Sequence, residues 1–247
     1  MSLLKTIIEK SAEGKKQLAI LVDPDKSERD GLVKTAEMAD ATGVDYLFVG
    51  GSLLTRDNMS VCIDVLKESS EVPVIIFPGS MLQVSANADA LLLLSLISGR
   101  NPEMLIGSHV VAAPLIRNSG LEVIPTGYML VESGKITSVM YINNTLPIPF
   151  DKTDIAVCTA MAGEMLGLKI IFLDAGRGAI HSIPMEMIRA VRQNIHLPLV
   201  AGGGIRTPED ALEAWDSGAD LVVVGNAAET HPGLIFEMGE AKRSIND

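Results

Sequence analysis

Aromatic residues are scarce. Phe, Trp and Tyr make up 4% of the 247 residues, while hydrophobic residues of all kinds reach 47%. A large core with so few rings is expected to be aliphatic, and Val, Ile and Leu fill the interiors of (β/α)8 barrels. Cysteine is nearly absent. Cys62 and Cys158 stand far apart, outside any CxxC and away from any histidine pair. That argues against a disulfide scaffold and fits a reduced cytoplasmic protein. His109, His181, His196 and His231 show neither HxxxH nor HxH spacing, which speaks against a zinc site. Positive charge is in deficit: 20 Lys and Arg face 31 Asp and Glu, a net charge of −11. A nucleic-acid ligand would call for a basic face, and adhesion to anionic lipid for basic clusters. Long apolar runs are missing too. The stretch around Ala90–Leu94 falls far short of the roughly 20 residues that span a bilayer. Lys5, Glu9 and Lys10 break up the first ten residues, unlike a signal peptide. There is no Gly-x-Ser-x-Gly elbow and no P-loop. No lysine occupies the interior of an expected strand, since Lys169 only opens one on the structural face, and this disfavours Schiff-base chemistry.

What is present is rhythm. Short apolar runs alternate with amphipathic stretches from end to end, with no linker or low-complexity segment between them, and this alternation implies a parallel sheet covered by helices. Expected strands are Leu18–Val22, Tyr46–Val49, Val72–Phe77, Ala90–Leu94, Leu121–Ile124, Lys169–Leu173, Leu199–Ala201 and Leu221–Val224. Expected helices include Leu3–Ala12, Ser27–Ala41 with Ser27 as N-cap, Thr55–Ser69, Pro102–Ser119, Lys152–Leu166 and Ile183–Ile195, with a short helical turn near Met81–Ala86. After the fifth strand the rhythm breaks, and Gly127–Tyr141 reads as a β-hairpin with its tip at Glu132–Lys135. Eight strands in a chain close to the roughly 250 residues typical of the fold favour one (β/α)8 TIM barrel over residues 1–247, modified by that insertion, rather than an open doubly wound sheet.

In such a barrel the chemistry gathers where the strands end. Gly202–Gly204 and Gly225-Asn226 close the last two strands, where glycine lets backbone amides approach an anion and helix N-termini add a positive dipole end. Gly176-Arg177-Gly178 offers another amide nest. Arg177 is read as reaching a phosphate or as solvent-exposed. Asp23 ends an apolar run, where a carboxylate is costly unless paired or metal-bound. Paired with Ser52 on the next strand it would suit Mg2+, with waters and phosphates completing the shell. Asp25 reads instead as a turn residue bonded to nearby backbone. Lys26 faces either phosphate or solvent. Asp174 stands where a general base or a hydroxyl-orienting carboxylate is useful.

Taken in order, Leu-Val-Asp-Pro-Asp-Lys, Val-Gly-Gly-Ser, Leu-Ser-Leu-Ile-Ser-Gly-Arg-Asn-Pro, Pro-Thr-Gly-Tyr-Met-Leu-Val, Ala-Gly-Glu-Met-Leu-Gly, Ala-Gly-Gly-Gly-Ile-Arg-Thr-Pro-Glu-Asp-Ala and Val-Val-Gly-Asn-Ala resemble the geranylgeranylglyceryl phosphate synthase family, in its bacterial-type branch. The likeness runs from the first strand to the eighth. It implies a modified barrel that joins a polyprenyl diphosphate to the C3 hydroxyl of sn-glycerol 1-phosphate in ether phospholipid synthesis. It further implies Mg2+ on Asp23 and Ser52, glycerol phosphate on Phe172, Leu173, Asp174, Ala175, Gly176, Arg177, Gly178, Gly203, Gly204, Gly225 and Asn226, a homo-oligomer, and transient contact with a membrane surface. One stretch departs from the pattern. The family usually carries Tyr-Leu-Glu-Ala-Gly-Ser-Gly where this chain has Phe172-Leu173-Asp174-Ala175-Gly176-Arg177-Gly178.

Two rivals share the phosphate grip. A sugar-phosphate isomerase or lyase would pair Asp23 with Asp174 across a small polar cup. A non-catalytic relative would bind glycerol phosphate alone. A greasy groove around Ile75–Phe77, Leu91–Leu94 and Met129 separates the prenyltransferase from the first.

Overall fold

The computed structural model describes residues 2–56, 58–80 and 83–247, and of Asn226 only the backbone. Its strands are β1 (Gln17–Val22), β2 (Tyr46–Val49), β3 (Val74–Ile76), β4 (Ala90–Leu96), β5 (Glu122–Leu130), β6 (Ile170–Asp174), β7 (Leu199–Gly202) and β8 (Leu221–Val224). They close in sequence order into a barrel, every pair parallel, with β8 returning to β1. Helices α1 (Leu3–Ala12), α2 (Arg29–Thr42), α3 (Met59–Ser69), α4 (Ser108–Ser119), α5 (Ser138–Ile142), α6 (Thr153–Met165), α7 (Met185–Asn194), α8 (Pro208–Asp216), α9 (Asn226–Thr230) and α10 (Leu234–Asn246) lie between or after the strands. No helix separates β3 from β4 among the described residues; the expected turn near Met81–Ala86 starts outside them, and Gln83–Ala86 forms no helix.

The two-residue period of a strand divides the apolar residues into two cores. Leu18, Ile20 and Val22 of β1, Ile171 and Leu173 of β6, and Val222 and Val224 of β8 pack outward among the helices. Ala19, Tyr46, Phe48, Ile75, Leu92, Ile124, Tyr128, Ile170, Phe172, Val200, Leu221 and Val223 face inward together. Ile7 of α1 joins this inner set. Glu122 ties α1 there, accepting from the amides of Leu3 and Leu4 at 2.7 and 2.9 Å.

The outer core is aliphatic, as expected, but the barrel interior is not. Three of the five phenylalanines and two of the three tyrosines converge inside it. Phe77 stacks on Phe172 with centroids 5.1 Å apart, and Tyr128 meets both edge-on at 5.9 and 5.7 Å. Scarce rings are concentrated rather than spread out, and edge-to-face packing adds to their burial.

The hairpin is not formed. Gly127 to Leu130 continue β5, whose nine residues pair with β4 and β6, and Ser138–Ile142 is helical. Pro125 and Gly127 hide the strand in the sequence, yet Pro125 needs only its carbonyl here, which accepts from Lys169 N at 2.8 Å. The expected helix over Pro102–Ser119 is a π-helical turn, Glu103–Gly107, running into α4. Ser27 does not cap α2; its hydroxyl donates to the Asp23 carbonyl at 3.1 Å.

Candidate active site

The pleat that fills the barrel also aims its chemistry. Ile170, Phe172 and Asp174 alternate inward along β6, so Asp174 ends the inner row at the barrel mouth. It is 7% exposed. Register pairs Tyr128 of β5 with Phe172, one pleat below Asp174. From there the Tyr128 hydroxyl donates to Asp174 Oδ2, while Gly176 N donates to Oδ1 at 2.8 Å. Burial raises the Asp174 carboxyl above the usual aspartate range, and the two donors pull it part of the way back. Burial, then the facing carboxylate, push the Tyr128 phenol well above its ordinary value. Two donors leave carboxylate lone pairs free for a third, which an incoming hydroxyl can supply. Tyr128 was hidden inside the misread hairpin. Extending the inward row Ile124–Thr126–Tyr128 through Pro125 and Gly127 would have found it.

The metal candidates lie beside a cation. Asp23 is 5% exposed and is off the cavity wall, on which Arg177 and Ser52 both lie. Arg177 Nη1 donates to Asp23 Oδ2 at 2.5 Å, and its Nη2 to Glu229 Oε2 of α9 at 2.5 Å. Lys26 Nζ stands 3.9 Å from the same Asp23 oxygen, largely in solvent. Arg177 is therefore neither free in solvent nor aimed at open space. Glu229, which the sequence did not single out, is raised by burial and lowered by Arg177. Asp25 behaves as a turn residue: it accepts from Thr55 N, Thr55 Oγ1 and Arg56 N. These bonds hold the segment after β2, so α3 starts at Met59 rather than Thr55. Gly51 lies so near Asp23 that a β-carbon there would meet Oδ1 at 3.6 Å. Asp23 and, on the cavity wall, Ser52 offer oxygen donors of the kind that Mg2+ takes along with waters and phosphates, and no group of three His, Cys, Asp or Glu that could hold a metal occurs among the described residues. These residues fit the ion once Asp23 is released by Arg177.

Glycines build the facing wall. Gly176, Gly178, Gly203 and Gly204 all hold φ between +72° and +81°, the backbone geometry from which anion-binding nests are made. Gly225 precedes α9, which starts at Asn226; the Asn226 side chain lies outside the described residues. The N-terminus of α8 is already occupied: Thr207 and Asp210 form a capping box, and Asp210 also accepts from Arg206 N. On that side an anion is left to the glycine loop, not to the helix end. Within 172–178, Leu173 packs outward and Ala175 is buried in the same outer core, its amide spent on Gly202 O. These two can offer a ligand backbone only, because the pleat turns their side chains away.

Asp174, Arg177, Ser52 and the glycine wall open into one cavity of about 1030 Å³, with Asp23 behind its wall. Asp174, Arg177 and the glycines of β6, β7 and β8 line one side of it. Phe77, Leu94, Leu96, Met104, Val139 and Ile142, from β3 through α5, line the other. Of the expected greasy residues, Phe77 and Leu94 reach the cavity, whereas Ile76, Leu91 and Met129 are spent in the outer core. The PcrB family profile matches residues 11–242. The chain belongs to the PcrB family. Its PcrB-family sequence is 51% identical to the geranylgeranylglyceryl phosphate synthase of Chitinophaga pinensis, over 96% of this chain and 94% of that one. The enzyme of the same name from Spirosoma linguale is 49% identical over 94% of each. Among solved structures, the (S)-3-O-geranylgeranylglyceryl phosphate synthase of Thermoplasma acidophilum, in complex with its substrate sn-glycerol-1-phosphate, superposes with a TM-score of 0.92 at 31% identity, covering 99% of both chains.

Proposed function

We propose that this chain is a prenyltransferase that joins a polyprenyl diphosphate, geranylgeranyl diphosphate foremost, to the C3 hydroxyl of sn-glycerol 1-phosphate and releases diphosphate, forming an ether bond of an ether phospholipid. The observation that carries the reading is the two-sided cavity: an amide nest with a buried carboxylate faces a wall of apolar side chains. A sugar phosphate has no use for the apolar side. The relatives that share half of this sequence bear the name of that enzyme, and the Thermoplasma protein takes sn-glycerol-1-phosphate as substrate.

The phosphate of glycerol phosphate sits against Gly176–Gly178, Gly203-Gly204 and Gly225-Asn226. Its C3 hydroxyl then meets Asp174, which orients it and takes its proton as it attacks the prenyl C1. The apolar wall holds the prenyl chain and keeps water from the allylic cation. Mg2+ on Asp23 and Ser52 would neutralise the departing diphosphate. Purified protein with labelled sn-glycerol 1-phosphate, Mg2+ and prenyl diphosphates of several lengths is expected to give an organic-extractable product, lost with EDTA and restored by Mg2+. Binding of glycerol phosphate without product from any donor would leave the non-catalytic rival standing.

We infer a cytoplasmic enzyme. Cys62 and Cys158 are both free, and no helix among the described residues is long and apolar enough to cross a membrane. A lipid donor and product imply brief contact with a membrane surface at the cavity mouth. We also infer a homo-oligomer. Ile106, Val110, Val111 and Leu115 stand 49–78% exposed along the π-turn and α4. The net charge of −11 disfavours anionic lipid as their cover, which leaves a second copy of the chain. Sedimentation is expected to show an oligomer that Val111→Glu weakens; a monomer at all concentrations would refute it.

A further inference from the structure

Arg177 makes two ion pairs at once and still has a donor in hand. Its guanidinium bridges Asp23 at the end of β1 and Glu229 on α9, both at 2.5 Å, with the arginine side chain 19% exposed. Its Nε is buried and has no partner. Asp23 has little else to satisfy it: Oδ1 accepts from Asp25 N at 3.0 Å, and Lys26 stays 3.9 Å from Oδ2. A guanidinium cannot lose its charge in a protein. So a divalent cation approaching Asp23 meets a permanent cation already on the carboxylate, and both cannot share Oδ2. The cavity wall at this point is arginine, with the carboxylate behind it.

We propose that Arg177 is an exchangeable counter-ion that keeps the divalent cation off Asp23 until a diphosphate is present, then moves its guanidinium onto diphosphate oxygens while Glu229 keeps it tethered. The inference rests on the metal reading of Asp23 given above and adds an order to it: cation and diphosphate enter together, and the empty enzyme holds the cation weakly. The unpartnered Nε–H and the Nη1 freed from Asp23 are two charged donors that diphosphate oxygens can accept from. Glu229 prevents the side chain from swinging out of the cavity when Asp23 is given up. A serine at this position would leave Asp23 open to the cation at all times.

The test uses Mn2+ as the probe, followed by electron paramagnetic resonance, and inorganic pyrophosphate without metal, followed by calorimetry. Arg177→Ser removes the guanidinium; Arg177→Met removes its charge but keeps most of its bulk. Both variants are expected to bind Mn2+ roughly tenfold more tightly than the parent when no diphosphate is present, within the usual span of coupling between two ligands. Both are expected to bind metal-free pyrophosphate more weakly. Adding Asp23→Asn to either should erase the gain in Mn2+ affinity. If Arg177 were only a structural strut, both ligands would weaken in both variants, and that result overturns the proposal. So does Mn2+ affinity that is unchanged in both variants yet lost in Asp23→Asn, an outcome that leaves the metal site itself intact. Mn2+ binding indifferent to Asp23→Asn in every background would remove the metal reading and the exchange with it.

Discussion

Asp174→Asn is expected to lower the rate of prenyl transfer roughly a thousandfold, within the range that a positioned proton acceptor contributes, while the protein stays folded. The fold survives because an asparagine fits the same two contacts. Its carbonyl oxygen accepts from Gly176 N as Oδ1 does now, and its amide faces the Tyr128 oxygen, which turns from donor to acceptor. What is lost is the negative oxygen that receives the proton of the attacking hydroxyl. Single-turnover formation of ether product, with glycerol phosphate saturating, separates this from a binding defect. A parental rate in the variant would take Asp174 out of the chemistry.

The pH profile carries a second reading of the same contact. Burial raises the Asp174 carboxyl and Tyr128 lowers it. The working form is ionised, so activity falls as pH drops through the raised pKa, above the range of an ordinary aspartate. Tyr128→Phe removes a donor to the charged form, which raises the pKa further. The acid limb should therefore move to higher pH while the plateau rate is partly kept. An unmoved limb would mean that the Tyr128–Asp174 hydrogen bond does not tune the carboxylate.

What the sequence revealed follows from where a residue's partners lie. β2 and β8 were read with their true ends because each is an unbroken apolar run stopped by glycine or a polar turn. Asp174, which ends β6, and Gly176, Gly203 and Gly204, which follow β6 and β7, were placed at the rim because those strand ends were read to within one residue and a closed barrel brings all strand ends together. β5 was cut short because Pro125 and Gly127 look like strand breakers, although in a parallel barrel pair Pro125 contributes only an acceptor. With β5 went Tyr128. Glu229 was invisible for a different reason. Gly225 and Asn226 nearby mark the strand end but not this side chain, whose meaning depends on Arg177, 52 residues away in the chain. Phe172 looked like the loss of a tyrosine hydroxyl near the carboxylate. Yet β5 brings another phenol, from Tyr128, to Asp174, and Phe172 packs against that ring. The chain supplies a hydroxyl at this point from the neighbouring strand.

Gly203→Ala is expected to damage the phosphate site and the fold together. Its backbone sits at φ +76°, where an L side chain is strained by roughly 1–3 kcal/mol whatever the space. There is also no space. The β-carbon would stand 2.6 Å from Asp174 Oδ1, 2.7 Å from Gly176 N and 2.8 Å from Ala175 N. Two of these are backbone atoms, fixed by the β6–β7 ladder and by the bond from Ala175 N to Gly202 O. The third belongs to the carboxylate that must meet the substrate hydroxyl. Relief therefore comes by pushing the β6 loop outward, which opens the amide nest and misplaces Asp174 together. A displacement near an ångström costs about a hundredfold in rate, and calorimetry with sn-glycerol 1-phosphate should show the affinity falling alongside the melting temperature. The same change at Gly31 is the contrast. That residue lies in α2 with nothing within 4 Å of a new β-carbon and an ordinary helical backbone, so Gly31→Ala should raise stability by about 0.5–1 kcal/mol. If Gly203→Ala instead melted and bound like the parent, the close approach of β7 to the Asp174 loop would not be the feature that forms the phosphate site.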